Sequence, residues 1–340
     1  MGNLQEKIES LQNEIQFSGT VIVAQGGNEI FNGNYGYANR GDKIRNQLNT
    51  KFGIASGCKI FTSTAIGQLV EQGKLKFDSK LKNFISIDFP HFDPDITVHH
   101  LLTHTSGVPD YFDEEVMDDF EELWINVPMY HIRSLKDFLP LFQNSKMKYQ
   151  AGERFSYNNT GYILLGLLVE ELSGQSFDEY VMEHIFKRAG MEDSGYFELD
   201  RLPSMTATGY IDFEDGSWKT NLYSVPVKGG SDGGAFVTAP DMLKFWKALT
   251  SHSLMGRETT EQLLTIHETE KDGLSYGYGI WIEKVGQVLQ YMLMGYDPGV
   301  NFHASFYPEQ DVQIVVCSNG SRGAYKILSL VQEEILSQYR

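Results

Sequence analysis

The chain of 340 residues holds only two cysteines, Cys58 and Cys317. Two thiols are too few for a disulfide framework, and they show no metal-ligand spacing. No run of about 18 apolar residues occurs, which excludes a membrane-spanning helix. Basic side chains are scarce as well: 28 Lys and Arg stand against 45 Asp and Glu, for a net charge of −17. That balance repels nucleic acid and anionic membrane surfaces. The first sixteen residues carry Glu6, Glu9 and Glu14 and lack the basic start and apolar run of a secretory signal. The expectation is a cytoplasmic protein with reduced thiols, or a secreted or surface one if a leader has been trimmed. Repeats and low-complexity tracts are missing too.

What remains is an ordinary globular composition, 41% hydrophobic and 21% charged. Leu4, Ile8, Leu11 and Ile15 recur at helical spacing, so residues 4–15 read as an amphipathic helix. Residues 20–24 and 29–32 flank Gly26-Gly27-Asn28 and read as a β-hairpin. From Lys59 to about Leu75 the pattern is helical, with Phe61, Ala65, Leu69 and Val70 as its buried stripe and Gly73 near its end. Helical runs follow at 161–172 and 177–187, strand-like runs at 277–283, 301–307 and 312–318, and a closing amphipathic helix at 327–338. Residues 112–124 are strongly acidic, which suits a solvated face or loop; a cover over a site is the sharper alternative. Strands at both ends with helices between them predict one α+β domain over 1–340. Residues 1–60 and 205–340 would form a sheet lobe, 61–204 a helical lobe, and a site would lie between them.

Serine is a weak nucleophile until a base takes its proton. In Ser56-Gly57-Cys58-Lys59 a serine at a helix start has a lysine one turn later on the same face. Burial and a nearby cation would push such a lysine towards its neutral, basic form. The helix N-terminus also offers a backbone N–H and its dipole to a developing oxyanion. The spacing alone is weak, and it recurs at Ser145-Lys146-Met147-Lys148, a polar stretch with no amphipathic helix behind it. Tyr157-Asn158-Asn159 is the second candidate, since a tyrosine can relay a proton and an asparagine can hold a lysine and a substrate amide. Its other copy, Tyr37-Ala38-Asn39, lies in a glycine-rich turn region.

Other constellations fail. Neither Gly-x-Ser-x-Gly nor His-Glu-x-x-His is present, and His99, His100 and His104 have no companion at metal spacing. His104, within Thr103-His104-Thr105-Ser106-Gly107, reads as a loop-organising residue. The run Gly229-Gly230-Ser231-Asp232-Gly233-Gly234 lacks the Lys-Ser/Thr ending of a phosphate loop. No metal or cofactor is expected.

Taken in order, the pieces resemble the β-lactamase and penicillin-binding-protein superfamily, in the branch of class C β-lactamases, D-alanyl-D-alanine carboxypeptidases and related esterases. The opening strands (residues 17–23 and 35–39), the segment 52–62 around Ser56 and Lys59, and Leu101–Gly107 carry the likeness. So do residues 152–162 around Tyr157 and Asn159, 233–242, and 276–279. The resemblance implies a β-lactamase/transpeptidase-like fold, an antiparallel sheet flanked by helices with an inserted helical lobe. It implies Ser56 as nucleophile, Lys59 and Tyr157 as proton carriers, and Asn159 as a substrate-binding residue.

The chain departs from the superfamily at the third motif, where a Lys or His, any residue and Gly are usual. Here the matching residues are Leu293-Met294-Gly295, followed by Tyr296, whose backbone N–H could still serve the oxyanion. Leucine removes hydrogen bonding to a substrate carboxylate. Leu293, Gly295 and Tyr296 complete the expected substrate-binding set. The implied reaction is acyl transfer on a small-molecule or peptide substrate, with penicillin or D-Ala-D-Ala chemistry as the default. An esterase acting on small acyl substrates and a degenerate ligand-binding protein are the alternatives. Cys58, beside the pair, reads as a packing residue, with redox sensitivity as the sharper reading.

Overall fold

The computed structural model describes residues 2–270, 274–285 and 287–336. Its spine is an eight-stranded antiparallel sheet built from both ends of the chain. The strands are β1 (Gly19–Gln25), β2 (Asn28–Tyr35), β3 (Glu268–Thr269), β4 (Ser275–Tyr276), β5 (Trp281–Val285), β6 (Val288–Asp297), β7 (Val300–Tyr307) and β8 (Val312–Ser318). Their spatial order is β2-β1-β8-β7-β6-β5-β4-β3, so the first strand pairs with the last, Val21 opposite Val316.

Alternation along the strands assigns each side chain to one of two cores. Val21, Val23, Val312, Ile314 and Val316 face one cluster, while Ile22, Val315 and Cys317 face the other. The first cluster is covered by the terminal helices α1 (Gly2–Ile15) and α5 (Ala324–Leu336), with Leu4, Ile8, Ile327 and Val331 packed on the sheet. The expected helix at 327–338 therefore begins earlier, and residues 337 and 338 lie outside the described residues. The second cluster holds α2 (Lys59–Glu71), α3 (Asn159–Ser173) and α4 (Ala239–Thr250).

Two expectations change. The helix after the nucleophile is not amphipathic: every residue from Lys59 to Leu69 is buried, because sheet and helices enclose α2 on all sides. Residues 277–280 form a turn and not a strand, since Gly279 takes φ +75° between β4 and β5. The predicted hairpin at 20–32 is present and longer, as β1 and β2. Residues 177–189 are helical with a π-type turn at Met182–Phe186. No helix among the described residues is long and apolar enough to cross a membrane.

Candidate active site

Ser56 lies in a 3-10 turn, Ala55–Cys58, that leads directly into α2. Ala55 has φ +45°, a strained value for a residue with a side chain. Gly57 N–H closes the turn on Ile54 O at 2.9 Å, and Ile54 N–H ties it to Ala235 O at 2.9 Å. β6 presses on it so closely that a Cβ on Gly295 would sit 1.9 Å from Ile54 O. A Cβ on Gly57 would meet the Phe302 ring at 2.5 Å. Both glycines are needed for this approach of strand to turn.

One turn later Lys59 is 2% exposed. Its Nζ donates to Ser56 Oγ at 2.9 Å, to Asn159 Oδ1 at 2.8 Å and to the Asp232 carbonyl at 2.8 Å. It also stands 4.8 Å from the centre of the Tyr157 ring. Burial by itself would lower the lysine, but Tyr157 and Asp232 outweigh it and hold Lys59 above its ordinary value. The shift towards a neutral lysine expected from burial is thus reversed in direction by these two neighbours. Tyr157 is raised as well, chiefly by burial, although contacts with Lys59 and Ser56 pull the other way. At neutral pH both partners keep their protons.

Asn159 is the first residue of α3, whose N-terminus is capped by Asn158 Oδ1 accepting from Gly161 N–H at 2.7 Å. Asp110 accepts from the N–H groups of Asn159 and Thr160 at 2.8 and 2.9 Å, which fixes Asn159 facing Lys59. Burial pushes Asp110 up to about 7, against those two donors.

His104 braces Tyr157 from behind. It is buried with φ +58°, and its Nδ1 accepts from Asn158 N–H at 3.0 Å. Its carbonyl accepts from Ser156 N–H at 2.9 Å, and its ring centre is 4.4 Å from that of Tyr157. Burial, with the Lys59 charge adding, holds the imidazole neutral.

A cavity of about 810 Å³ opens over Ser56. Ser56, Asn159 and Tyr296 line it, whereas Lys59 and Tyr157 lie outside the lining. Leu293 and Gly295 do not line it either: Leu293 is 2% exposed within the second core, and Gly295 packs on the nucleophile turn. The 112–124 segment forms part of the wall through Phe112, Glu114, Asp118, Asp119, Phe120 and Glu121.

Several residues escaped the sequence reading. Asp232, Tyr111 and Asp297 all line the cavity, and the Tyr111 hydroxyl donates to the Asp232 carboxylate. The glycine-rich run around Asp232 lacks the ending of a phosphate loop and serves another purpose. Its use here is to turn carbonyls inward, Asp232 O to Lys59 and Ser231 O to the Thr62 hydroxyl. Cys58 is fully buried, and burial pushes its thiol up to about 12, which favours the packing reading. Among the described residues no three or more His, Cys, Asp or Glu converge as a metal site.

A family model described as beta-lactamase matches residues 4–329. A crystal structure of a penicillin-binding protein from Bacillus halodurans superposes with a TM-score of 0.93. It is 54% identical, over 96% of this chain and all of that one. A putative penicillin-binding protein of Bacillus subtilis, PbpX, is 29% identical over 97% of this chain and 79% of its own length. Penicillin-binding protein 4* of the same organism is also 29% identical, but only 62% of its length is spanned. The fold is the β-lactamase/transpeptidase-like one.

Proposed function

The chain belongs to the beta-lactamase family, and we propose that it is a serine hydrolase whose acyl-enzyme forms on Ser56. The observation that carries this reading is Lys59 Nζ at 2.9 Å from Ser56 Oγ, with Asn159 on its other side. Ser56 Oγ attacks the carbonyl carbon while its proton passes to the Lys59–Tyr157 pair, which must first have given up one proton. The N–H groups of Ser56 and Tyr296 hold the oxyanion, a role supported by the close packing of β6 on the nucleophile turn. Collapse of the tetrahedral intermediate breaks the bond to the leaving group, which takes the proton from the pair. Water then repeats the sequence and frees the acid.

Relatives named penicillin-binding proteins favour β-lactams or D-Ala-D-Ala peptides as acyl donors. The cavity favours a second class, esters or amides without a carboxylate near the scissile bond. Among the described residues that line the cavity, Lys219 is the one cationic side chain, and its Nζ is 2.7 Å from Glu121 Oε2. A substrate carboxylate would face carboxylates in place of a partner.

The test is a comparison of nitrocefin, a D-Ala-D-Ala peptide and p-nitrophenyl esters on wild type and Ser56→Ala. Turnover of at least one, lost in Ser56→Ala, is expected. No turnover by the wild type would point to the degenerate ligand-binding alternative.

A further inference from the structure

Asp297 is the residue after Tyr296, at the end of β6 where that strand meets the nucleophile turn, and it lines the same cavity as Ser56. Among the described residues its carboxylate has neither a salt bridge nor a hydrogen-bond donor. Burial pushes it up to about 7; Asp232 and Glu114 add to that, and only Lys59 opposes it. A partly buried carboxylate without a partner is unfavourable, and the fold makes no use of it. The same cavity has apolar and aromatic lining, Phe112, Phe120, Phe138, Phe197, Val227 and Phe236. The position four residues earlier, Leu293, is apolar and buried, so β6 brings no cation to this end of the cavity.

We propose that Asp297 is a specificity-determining residue that binds the ammonium group of the substrate, and that the acyl donors are esters or amides of apolar amino acids with a free amine. This rests on the serine hydrolase reading. An ammonium supplies what Asp297 lacks, a charge-assisted donor, while the aromatic wall takes the side chain. Glu114 and Asp118, which also line the cavity and are exposed, lend it the same sign of potential.

The experiment compares phenylalanine p-nitroanilide, in both D and L forms, with the N-acetyl derivatives on wild type and Asp297→Asn. The wild type is expected to prefer the free amine by roughly ten- to hundredfold in kcat/KM, with the difference in KM, since a hydrogen bond to a charged group has about that value. Asp297→Asn is expected to bring the ratio close to one. In parallel, phenethylamine should inhibit the wild type competitively and 3-phenylpropionate should not. A wild-type ratio near one, a ratio unchanged in Asp297→Asn, or stronger inhibition by the carboxylate overturns the proposal. Fluorophosphonate labelling of Ser56 in the same samples separates this failure from failure of the hydrolase reading, because labelling would persist in the first case only.

Discussion

Lys59 Nζ reaches Ser56 Oγ at 2.9 Å while Asn159 Oδ1 and the Asp232 carbonyl hold its other two sides, so the lysine is fixed in place, and Tyr157 and Asp232 raise it above its ordinary value. The proton-accepting form of the site is therefore the minor one at neutral pH. Both Lys59 and Tyr157 lie above their ordinary values. It follows that kcat/KM for a neutral ester should climb across pH 7 to 9, approaching about tenfold per unit, because loss of one proton from the pair precedes attack. Lys59→Met should lower the rate by about 10²–10⁴-fold and Tyr157→Phe should alter the limb. A flat profile in the wild type would contradict this account of the pair.

Asp297 makes a second prediction, on stability. Its folded-state value of about 7 stands above that of an unfolded aspartate, roughly 3.9. Between these values the folded chain binds more protons than the unfolded one, so stability from this group is present at low pH and is lost as pH rises towards 7. Replacing the carboxylate by an amide removes that loss. Asp297→Asn should raise the melting temperature at pH 8, with the gain shrinking at pH 5. Thermal unfolding at the two pH values measures it, and a gain larger at pH 5 would be the wrong sign.

Gly295 makes a third. A Cβ there would fall 1.9 Å from Ile54 O and 2.9 Å from Gly57 N, both backbone atoms of the nucleophile turn. Backbone has no rotamer to retreat into, so Gly295→Ala must separate β6 from the turn. A loss of about 1–3 kcal/mol in a urea titration is expected, together with slower acylation. A stable variant with wild-type acylation would mean that the strand is not held against Ser56.

Much of this site was legible in the sequence. Ser56 and Lys59 stand one turn apart at the start of α2 and show themselves by that context together with the ordered motifs around them, and Asn159 opens another helix whose cap, Asn158, sits beside it. Asp232 and Asp297 were not legible, because a lone acid in a glycine-rich loop or at a strand end has no local pattern; only the folding of distant segments around Ser56 gives them a common cavity. Lys59 itself shows the limit of inference from type. Burial was foreseen, but Tyr157 and Asp232, which raise the lysine against that burial, come from distant segments, as do the acceptors that fix its Nζ, 100 and 173 positions away. Leu293 was foreseen as a lost contact at the site, whereas the strand turns it into the core.

The two thiols give a simple check on the packing. Cys58 and Cys317 are fully buried and burial raises both. The native protein should show no reaction with 5,5′-dithiobis(2-nitrobenzoate) over minutes, and two thiols should titrate after denaturation. Rapid native reaction at Cys58 would place it in the site after all.

The central claim, a nucleophilic Ser56 served by Lys59, is tested most directly by intact-protein mass spectrometry after exposure to a fluorophosphonate. One adduct per chain, mapped to Ser56 by peptide sequencing, absent in Ser56→Ala and slowed by orders of magnitude in Lys59→Met, is the predicted result. Adduct formation that is unchanged in Ser56→Ala, or that maps to another residue, would contradict it.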